Sequence, residues 1–531
     1  MNWGTELATT RQRYGDRIGI VDAEGPHRIA EVLDAAAGIA RRLAARGLGP
    51  GAFVATIFHN SALAASASYA VSLAGAAEVP VNPLLSSSEI AHALACTGAG
   101  LVLMDGADEF PADSGVPCED VRGIEAYGFV PEGWPDVDPD APSRIVFTSG
   151  TTGPAKGAIH THRGRWTGTL MLRASLPFAP DGGNRALLMT PFSHGSSLLT
   201  FAYLAQGASV HLMRGVEPAV VVPLLASGEI TEAFAPPTVL AKLLDAWARP
   251  EHRDLVPKLR TILTGTAPLT PLVYRGAVER FGEIVRVTYG KSEIFNPITV
   301  LDPPEAAAAY AEPPVEGLCV GWPATGVQVE IRDEAGRRLP RGETGTIHLM
   351  SPHLSTGYMM REGRRLRAEG EFHDTGDIGF VDARGRLFLV ARHSDMMKSG
   401  GYKVSPDEVE RALAPFLPET ELVVLGIPSD YWGEIVTLVA QRPPEDWRAR
   451  LGPALDAMTP YKRPRLFAAV EALPRNAIGK IVRTQLRRHL METHDLVETA
   501  KPALVVKPGL VAKPGLAAKP GLAAEPGGDA A

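Results

Sequence analysis

Apolar and polar residues follow helical and strand spacings in turn along the first part of the chain. The segment IAEVLDAAAGIARRLAARGLGPG, which begins at Ile29, has apolar residues three and four positions apart, and Gly47 is suited to end a helix. The apolar runs FVATIF and AEVPVNPL have the length of buried strands. This alternation predicts parallel α/β layers. Further strands are predicted at Ala186–Met189, Ser209–Leu212, Glu232–Ala235 and Arg260–Leu263.

The spacing changes at about Val327. VQVEIRDEAGRRL, TGTIHLM and IGFVDARGRLFLVAR alternate with Asp- and Gly-containing turns and predict an antiparallel β subdomain that closes a large domain. Beyond Arg392 we expect a helix at PDEVERALAPF, strands at ELVVLGI and EIVTLVA, a helix near WRARLGPALDAM and a strand at RLFAAVEAL. The predicted fold class is α/β, with a large N-terminal domain over residues 1–392 and a small α+β C-terminal domain over residues 393–498.

The last segment, residues 499–531, has a different composition. Residues 501–524 are four six-residue units, KPALVV, KPGLVA, KPGLAA and KPGLAA. Pro and Gly in every unit after the first forbid a regular helix, and no unit has an aromatic residue to build a core. We expect a disordered or polyproline-like tail. The alternative is a docking segment for a partner, because a repeated Leu can bind multivalently.

Composition and charge exclude several classes of function. The chain has 531 residues, 45% of them hydrophobic, and its 53 Lys and Arg against 60 Asp and Glu give a net charge of −7. A nonspecific nucleic-acid binder needs a basic excess, so no nucleic-acid partner is expected. Cys96, Cys118 and Cys319 are too few and too scattered for a disulfide framework. The polar N-terminus and the lack of an apolar run of about 18 residues predict a cytoplasmic protein without stable membrane insertion.

Residues 148–157 read TSGTTGPAKG and directly follow the apolar end of a predicted strand. A glycine-rich turn directs several backbone N–H groups toward one point, hydroxyls add donors, and a lysine supplies a positive charge. This combination suits phosphate oxygens, although it is not the G-x-x-x-x-G-K-[ST] loop, because Gly157 follows the lysine. The predicted phosphate ligands are Lys156 together with Thr148, Ser149, Gly150, Thr151, Thr152 and Gly153.

This loop resembles the signature of the adenylate-forming enzymes, which include acyl-CoA synthetases, luciferases and the adenylation domains of nonribosomal peptide synthetases. The family pattern is S-T-S-G-T-T-G-x-P-K-G, and the match runs from Thr148 to Gly157 with Ala155 where Pro is usual. The resemblance implies that the loop holds the β- and γ-phosphates of ATP as pyrophosphate leaves. It extends over five ordered motifs and is most like the free-standing acyl-CoA ligases.

Two motifs resemble the family's nucleotide site. LTGTAPL at 263–269 is similar to the adenine-side segment, and VTYGKSE at 287–293 is similar to Y-G-x-T-E. The resemblance implies that Tyr289 stacks on adenine, that Ser292 replaces the usual Thr on the α-phosphate, and that Glu293 binds Mg²⁺ together with Thr152. A carboxylate and phosphates repel each other, so a hard cation that binds both would stabilise their approach. The implied nucleotide-binding residues of these motifs are Gly265, Thr266, Ala267, Pro268, Thr288, Tyr289 and Gly290.

Three further motifs follow in family order. FHDTGDIGF at 372–380 resembles the ribose motif, in which Asp377 accepts hydrogen bonds from both hydroxyls, and Arg392 aligns with an arginine that also reaches the ribose. KSGGYKVSPDEVE at 398–410 is similar to the small-domain loop whose glycines, here Gly400 and Gly401, lie near the thiol cosubstrate in CoA ligases. PRNAIGK at 474–480 places Lys480 at the position of the family's catalytic lysine.

The resemblance also implies that the small domain is mobile and rotates between two half-reactions. The family hinge is Asp or Lys two residues after the ribose arginine, and here that position is Ser394, followed by Asp395. The implied hinge is therefore Ser394 or Asp395.

The implied chemistry is the activation of a carboxylate, whose oxygen is a poor leaving group. Attack on the α-phosphorus of ATP makes an acyl-adenylate, from which AMP leaves readily. Mg²⁺ on Glu293, Lys156 and the loop donors would spread the charge of the leaving pyrophosphate, while Lys480 binds the incoming oxyanion. A carboxylate is already a nucleophile, so no general base is needed, and catalysis is positioning plus electrostatics.

The motifs identify the residues that border the acid less firmly than those that bind the nucleotide. PFSHGSS at 191–197 resembles the segment that lines the acyl pocket, which makes His194 a pocket wall with Gly195 leaving room beside it. Thr238 is a weaker pocket candidate. Lys291 stands where acid-activating relatives often carry a neutral residue, so it either pairs with a second anionic group or small anion, or extends to solvent.

The leading hypothesis is an acyl-CoA ligase that uses ATP, a carboxylic acid and CoA. Alternatives on the same fold are transfer to a carrier-protein thiol, or activation of a small oxyanion such as nitrite for transfer to an amine. A noncatalytic binding protein is a further alternative. It is disfavoured because Lys156, Glu293, Asp377 and Lys480 are all present. The sequence does not determine the acid or the oligomeric state.

Overall fold

Strands that alternate with helices gather into three main β-sheets in the part of the chain that the structure describes. The structure is a computed structural model, and it describes residues 1–106, 115–147, 155–267, 269–295, 297–312, 317–392, 395–399, 402–429, 433–475, 480–497 and 503–506. Within these ranges the sheets have 13, 8 and 5 strands, and a two-stranded sheet follows near the C-terminus.

The strands have the following bounds in chain order: β1 (Ile18–Asp22), β2 (Gly25–Arg28), β3 (Phe53–Ile57), β4 (Ala77–Val81), β5 (Leu101–Met104), β6 (Cys118–Asp120), β7 (Pro142–Phe147), β8 (Gly157–Thr161), β9 (Arg185–Leu188), β10 (Ser209–Leu212), β11 (Glu232–Phe234), β12 (Thr261–Thr264), β13 (Val285–Tyr289), β14 (Thr299–Leu301), β15 (Leu318–Pro323), β16 (Gln328–Arg332), β17 (Gly345–Met350), β18 (Gly357–Met360), β19 (Gly363–Leu366), β20 (His373–Val381), β21 (Leu387–Arg392), β22 (Met397–Ser399), β23 (Tyr402–Val404), β24 (Leu422–Ser429), β25 (Gly433–Gln441), β26 (Leu466–Val470), β27 (His494–Val497) and β28 (Ala503–Val506).

The α-helices have these bounds: α1 (Trp3–Tyr14), α2 (Ile29–Ala45), α3 (Ala62–Leu73), α4 (Ser87–Thr97), α5 (His162–Ala174), α6 (Ser197–Leu204), α7 (Pro218–Ser227), α8 (Pro237–Trp247), α9 (Pro271–Phe281), α10 (Pro303–Ala311), α11 (Pro406–Leu413), α12 (Trp447–Arg450), α13 (Gly452–Ala457) and α14 (Arg483–Thr493). None of the helices within the described ranges combines the length and the apolar character needed to cross a membrane.

Helix α2 shows how the sequence sets the bounds of an element. The carboxylate of Glu31 accepts a hydrogen bond from the backbone N–H of Arg28 at 2.7 Å and so caps the first turn. The predicted apolar face is buried and packs against α3. Gly47 has a φ of +72°, a left-handed conformation that glycine adopts without strain. The predicted helix and its end are both confirmed.

The eight-stranded sheet has the order β19-β18-β8-β7-β4-β3-β5-β6. The runs FVATIF and AEVPVNPL form β3 and β4, which pair in parallel as predicted. The next strands depart from that pattern, because β7 and β8 pair antiparallel around the segment that joins them. One end of this sheet therefore presents the predicted phosphate loop.

The thirteen-stranded sheet has the order β16-β17-β20-β21-β15-β14-β13-β12-β11-β9-β10-β1-β2. The four strands predicted between residues 186 and 263 are β9 to β12, and they pair in parallel. Beyond residue 327, β16, β17, β20 and β21 pair antiparallel, as their alternation predicts. Both parts belong to one hydrogen-bonded path, which confirms the α/β class. Along this path β21, β15 and β14 lie between β20 and β13.

A buried ion cluster ties the eight-stranded sheet to its helices. Glu78 of β4 lies 3.0 Å from Arg144 of β7 and 3.9 Å from Arg165 of α5, and all three side chains are at most 3% exposed. Glu78 also accepts hydrogen bonds from the hydroxyls of Thr56 (3.0 Å) and Ser68 (2.7 Å). The two guanidinium groups hold the pKa of Glu78 below its usual value although burial opposes this.

The C-terminal sheet comprises β22 to β26, covered by α11 to α14. The helix expected near WRARLGPALDAM is two short helices, α12 and α13, because Pro453 lacks the N–H that a continuous helix requires. The other predicted elements of this domain form α11, β24, β25 and β26.

The first unit of the repeat tail departs from the prediction of a disordered tail. Ala503–Val506 of KPALVV forms β28, which pairs antiparallel with β27. This unit lacks the glycine of the later units and carries Leu504 and two valines, which favour a strand, and Leu504 packs against the C-terminal core. Residues 507–531 lie outside the described residues.

Replacing Arg144 with Met should lower the free energy of unfolding by about 3–5 kcal/mol, because Glu78 and Arg165 would remain buried with one partner removed. The measurement is urea unfolding followed by tryptophan fluorescence. Arg163→Met is the matched control, since Arg163 forms an exposed pair with Asp140 at 2.8 Å and its loss should change stability little. Equal effects of the two variants would contradict the buried-cluster account.

Candidate active site

The predicted phosphate loop joins two neighbouring antiparallel strands. Phe147, the last residue of β7, is paired with Gly157, the first residue of β8. A Cβ on Gly157 would lie 2.5 Å from Ile145 Cγ2, so only glycine allows the two strands to approach here. Lys156 directly precedes Gly157 of this pair. The remaining predicted loop ligands, Thr148, Ser149, Gly150, Thr151, Thr152 and Gly153, lie outside the described residues.

Glu293 and Lys156 come together through a tyrosine that sequence reasoning missed. The hydroxyl of Tyr358, in β18, donates to Glu293 Oε1 at 2.8 Å, and the Lys156 ammonium lies 6.0 Å from the centre of the same ring. Burial and the Glu293 charge raise the pKa of Tyr358, which keeps it a donor. The pairing of β18 with β8 brings Tyr358 here, and the sequence offered only an aromatic residue on an alternating strand.

The short segment that carries Lys291, Ser292 and Glu293 is held by its backbone. His160 of β8 donates from Nε2 to the carbonyl of Ser292 at 2.8 Å, and the N–H of Ser355 donates to the carbonyl of Glu293 at 2.7 Å. Burial lowers the pKa of His160 to about 4, so its ring is neutral at physiological pH. The segment after β13 is therefore held by β8 on one side and by the residue Ser355, which precedes β18, on the other.

Asp377 lies at the centre of a second group of contacts. Its Oδ2 accepts hydrogen bonds from the Tyr289 hydroxyl and from the Lys291 ammonium, the latter at 3.2 Å. Lys291 also donates to the carbonyl of Thr375 at 2.6 Å. Lys291 is thus on the side of the predicted ribose ligand, not extended to solvent. Arg392 pairs with Asp377 across β20 and β21, so the two residues implied at the ribose share one rung of the sheet.

The predicted adenine-side residues lie at the ends of β12 and β13. A Cβ on Gly265 would lie 2.6 Å from the carbonyl oxygen of Thr288, so the two segments are in close backbone contact. Thr288 donates from its hydroxyl to the carbonyl of Thr264 at 3.1 Å. Thr266 has a φ of +70°, which is strained for a β-branched residue. Ala267 and Gly290 continue these segments, and Pro268 lies outside the described residues.

His194 lies in an irregular turn. Phe192–Ser196 forms a π-helical turn in which His194 has φ −124° and ψ −130°, and its Nδ1 is 2.9 Å from the hydroxyl of Ser193. Gly195 leaves space beside Phe234, whose ring would be 3.3 Å from a Cβ at this position. Such turns are frequent at functional sites.

The His194 turn connects to the buried cluster and to the C-terminal domain. Ser197 accepts a hydrogen bond from Arg144 at 2.8 Å and donates to the carbonyl of His194 at 2.8 Å. Burial lowers the pKa of His194 to about 4, and the positive charges of Arg144 and Lys480 add to the effect. Lys480 therefore lies within electrostatic reach of the predicted pocket wall.

Thr238 lines a cavity of about 200 Å³ whose walls include Pro191, the residue before the His194 turn. This places the predicted weaker pocket residue next to that turn. The implied hinge and thiol-side residues Ser394, Gly400 and Gly401 lie outside the described residues, whereas Asp395 is described and contacts Arg483.

Residues 7–359 match the protein-family model described as AMP-binding enzyme. The chain belongs to this family. Its fold and its AMP-forming acid–thiol ligase type thereby agree with the resemblance that the motifs indicated. The chain is 30% identical over 372 residues to the medium/long-chain-fatty-acid–CoA ligase FadD8 of Mycobacterium tuberculosis, an alignment that covers 67% of this chain and 63% of FadD8.

Two further relatives of this adenylate-forming enzyme cover most of its length. The fatty acid–[acyl-carrier-protein] ligase ScoC of Streptomyces coeruleorubidus is 29% identical, with 85% of this chain and 89% of ScoC aligned. A structure of o-succinylbenzoate CoA synthetase (MenE) from Bacillus subtilis, in complex with ATP and magnesium ion, has a TM-score of 0.77 at 26% identity and covers 91% of this chain and 99% of that chain. A homologue of the same fold thus binds ATP and Mg²⁺.

Lowering the pH from about 6.5 to 4 should destabilise the enzyme, because His160 binds a proton in the unfolded chain but stays neutral in the folded one. His160→Gln can retain a donor to the Ser292 carbonyl but cannot titrate. Its stability should therefore fall less steeply over this range, by up to about 1.4 kcal/mol per pH unit. Urea midpoints measured at half-unit pH steps test this, and parallel curves for the two proteins would contradict it.

Proposed function

We propose that this enzyme activates a carboxylic acid with ATP as an acyl-adenylate and then transfers the acyl group to CoA. The observation that carries the proposal is one continuous line of contacts, from Lys156 through Tyr358 to Glu293, and along the same segment to Lys291 and Asp377. It unites three of the four charged residues that the motifs singled out, and the fourth, Lys480, acts on His194.

The charges along this line suit a bound nucleotide triphosphate. Asp377 and Tyr289 serve the ribose and base end, while Lys156 and Glu293 serve the phosphate end. Glu293 is 7% exposed and offers carboxylate oxygens, the ligand type that Mg²⁺ prefers, so the residues present fit this ion. When bound, Mg²⁺ would supply positive charge to the leaving pyrophosphate.

The first half-reaction needs no proton transfer. A carboxylate oxygen forms a bond to the α-phosphorus, and the bond from that phosphorus to the bridging oxygen breaks as pyrophosphate leaves with the electron pair. Lys156 and the loop donors stabilise the negative charge on pyrophosphate, and Lys480 brings the acid's oxygen to the α-phosphate. His194 is neutral and adds no charge that would compete for the acid.

In the second half-reaction the sulfur of CoA attacks the acyl carbon and AMP leaves, with the thiol proton released to solvent. CoA as acceptor is supported by FadD8 and by MenE, which are both named as CoA ligases or synthetases. A carrier-protein thiol is the second candidate acceptor, and the similarity to ScoC favours it over an amine.

The acid itself follows from neither the motifs nor the relatives. His194, Gly195 and Thr238 are the proposed pocket residues. Lys291 is bound to Asp377 and Thr375, so we assign its charge to the nucleotide side of the site and not to a second anionic group on the acid. This makes small oxyanions such as nitrite a less favoured substrate than an ordinary carboxylic acid.

The test is AMP release by the purified enzyme with ATP and Mg²⁺ against aryl, medium-chain and dicarboxylic acids and nitrite, each with and without CoA. AMP and a thioester that both require CoA and one class of acid would support the ligase. AMP formation indifferent to CoA would favour a carrier-protein or amine acceptor. No AMP with any substrate would contradict the proposal.

Lys480→Ala should slow adenylate formation about 100- to 1,000-fold, because the amine that brings two anions together is lost. The rate is measured by exchange of labelled pyrophosphate into ATP with the acid found active above. Lys462→Ala is the matched control, because Lys462 belongs to the same domain and forms an ion pair with Glu408 at 2.5 Å. Comparable losses in both variants would argue against a specific role of Lys480.

Tyr358→Phe should lower the adenylation rate about tenfold and shift its dependence on Mg²⁺ to higher concentration, because Glu293 loses the hydrogen bond that orients it. Tyr203→Phe provides the control. The Tyr203 hydroxyl is buried without a hydrogen-bond partner among the described residues, so its removal should leave the rate unchanged. An unaltered Mg²⁺ dependence in Tyr358→Phe would refute the proposed orienting role.

A further inference from the structure

The chain passes from the thirteen-stranded sheet to the C-terminal sheet in one short segment. β21 ends at Arg392 in the first sheet, and β22 begins at Met397 in the second. Asp395 lies between these two strands. We call Asp395 and Met396, the described residues directly before β22, the crossing segment.

One arginine binds the crossing segment to the core of the C-terminal domain. Arg483, the first residue of α14, lies 3.4 Å from Asp395, 2.8 Å from Asp407 and 2.7 Å from Glu410. Its Nε also donates to the carbonyl of Val424 at 3.2 Å. A single guanidinium group thus joins the crossing segment, α11 and β24.

The charges make this arginine hard to replace. Burial raises the pKa of Glu410 to about 7 and also raises that of Asp407, while Arg483 opposes both shifts. The carboxylates in turn raise the pKa of Arg483 although burial opposes this. Arg411 also acts on Asp407. Without Arg483, three neighbouring acids would face one another, and the cluster would separate or take up protons.

The same arginine is three residues after Lys480. Between them, Ile481 forms a β-bridge with Arg475, and the N–H of Val482 donates to the carbonyl of Pro474 at 2.8 Å. The chain around Lys480 is therefore fixed to α14 at the residue that contacts the crossing segment. Lys480 and Asp395 are thus linked through Arg483 by a short path of contacts.

We propose that Arg483 is a positioning residue for Lys480. It makes the crossing segment, α11 and the Lys480 segment one rigid body, so the position of the Lys480 amine is set where the chain crosses between the sheets. This inference rests on the proposed function, in which Lys480 contacts the reacting carboxylate, and it assigns no chemical step to Arg483.

The activity test uses Arg483→Met, Arg483→Lys and Asp395→Asn in the full-length protein. Arg483→Met should lower the maximal rate of pyrophosphate exchange about 10- to 100-fold, with little change in the KM for ATP, because the amine is displaced and not removed. Arg483→Lys should recover part of the rate. In Asp395→Asn, Arg483 keeps its ion pairs with Asp407 and Glu410 of α11, so the loss of rate should be intermediate. Arg487→Met is the matched control, since Arg487 lies on the same helix, 3.7 Å from Glu434, and its loss should have little effect.

A double variant separates positioning from general damage to the fold. If Arg483 acts through Lys480, Lys480→Ala combined with Arg483→Met should be no slower than Lys480→Ala alone. Multiplying losses would overturn the proposal, as would a full rate in Arg483→Met.

Hydrogen exchange gives a readout that is independent of activity. Amides of residues 480–483 and 395–399 should exchange faster in Arg483→Met than in the original protein, while those of β25 and β26 keep their protection. If the original protein makes no adenylate with any acid, the proposed function fails, and unchanged exchange in the variant would separately refute the rigid body.

Discussion

The buried carboxylate of Glu78 is the interaction on which the large domain depends. It lies between two guanidinium groups from different elements, so β4, β7 and α5 cannot move apart without exposing an uncompensated charge to a nonpolar interior. Arg144 extends this constraint to the turn of His194 through Ser197. The strand that carries Arg144 ends at Phe147, directly before the phosphate loop. The strand that leads to the phosphate loop and the turn of His194 are thus both held by Arg144.

The proposed reaction must bring a carboxylate and a triphosphate into one site, although both are negatively charged and repel each other. Its acidic residues are each held by a neighbouring donor, Glu293 by Tyr358 and Asp377 by Tyr289 and Lys291. Fixed carboxylates need not reorganise when a nucleotide arrives, which is the condition for efficient electrostatic catalysis. Lys480, in contrast, belongs to the C-terminal part of the chain, outside the two sheets that hold this framework.

The spacing of apolar residues was sufficient to predict the fold class. A helix repeats its buried positions about every 3.6 residues, and a buried strand appears as a short apolar run. The motifs named Lys156, Glu293 and Asp377. In the structure Lys156 and Glu293 both lie at Tyr358, and Lys291, two residues before Glu293, contacts Asp377. The roles implied for these residues stay predictions. Tyr358 could not be found in this way, since its contact with Glu293 arises from the pairing of β18 with β8, about 200 residues apart in sequence. The contact of Lys291 with Asp377 likewise joins segments that are far apart in the sequence, 86 residues in this case. The strand in KPALVV could have been expected from the sequence, because the first unit lacks the glycine of the later units.

The strained backbone of Thr266 bears on how this enzyme could be engineered. A β-branched residue at a φ of +70° costs about 1–3 kcal/mol relative to a relaxed conformation, and the close contact of Gly265 with Thr288 keeps it there. A glycine at position 266 would regain much of this stability. If Thr266 contacts the nucleotide, as its motif implies, the same substitution would remove that contact, and stability and turnover would oppose each other at this position.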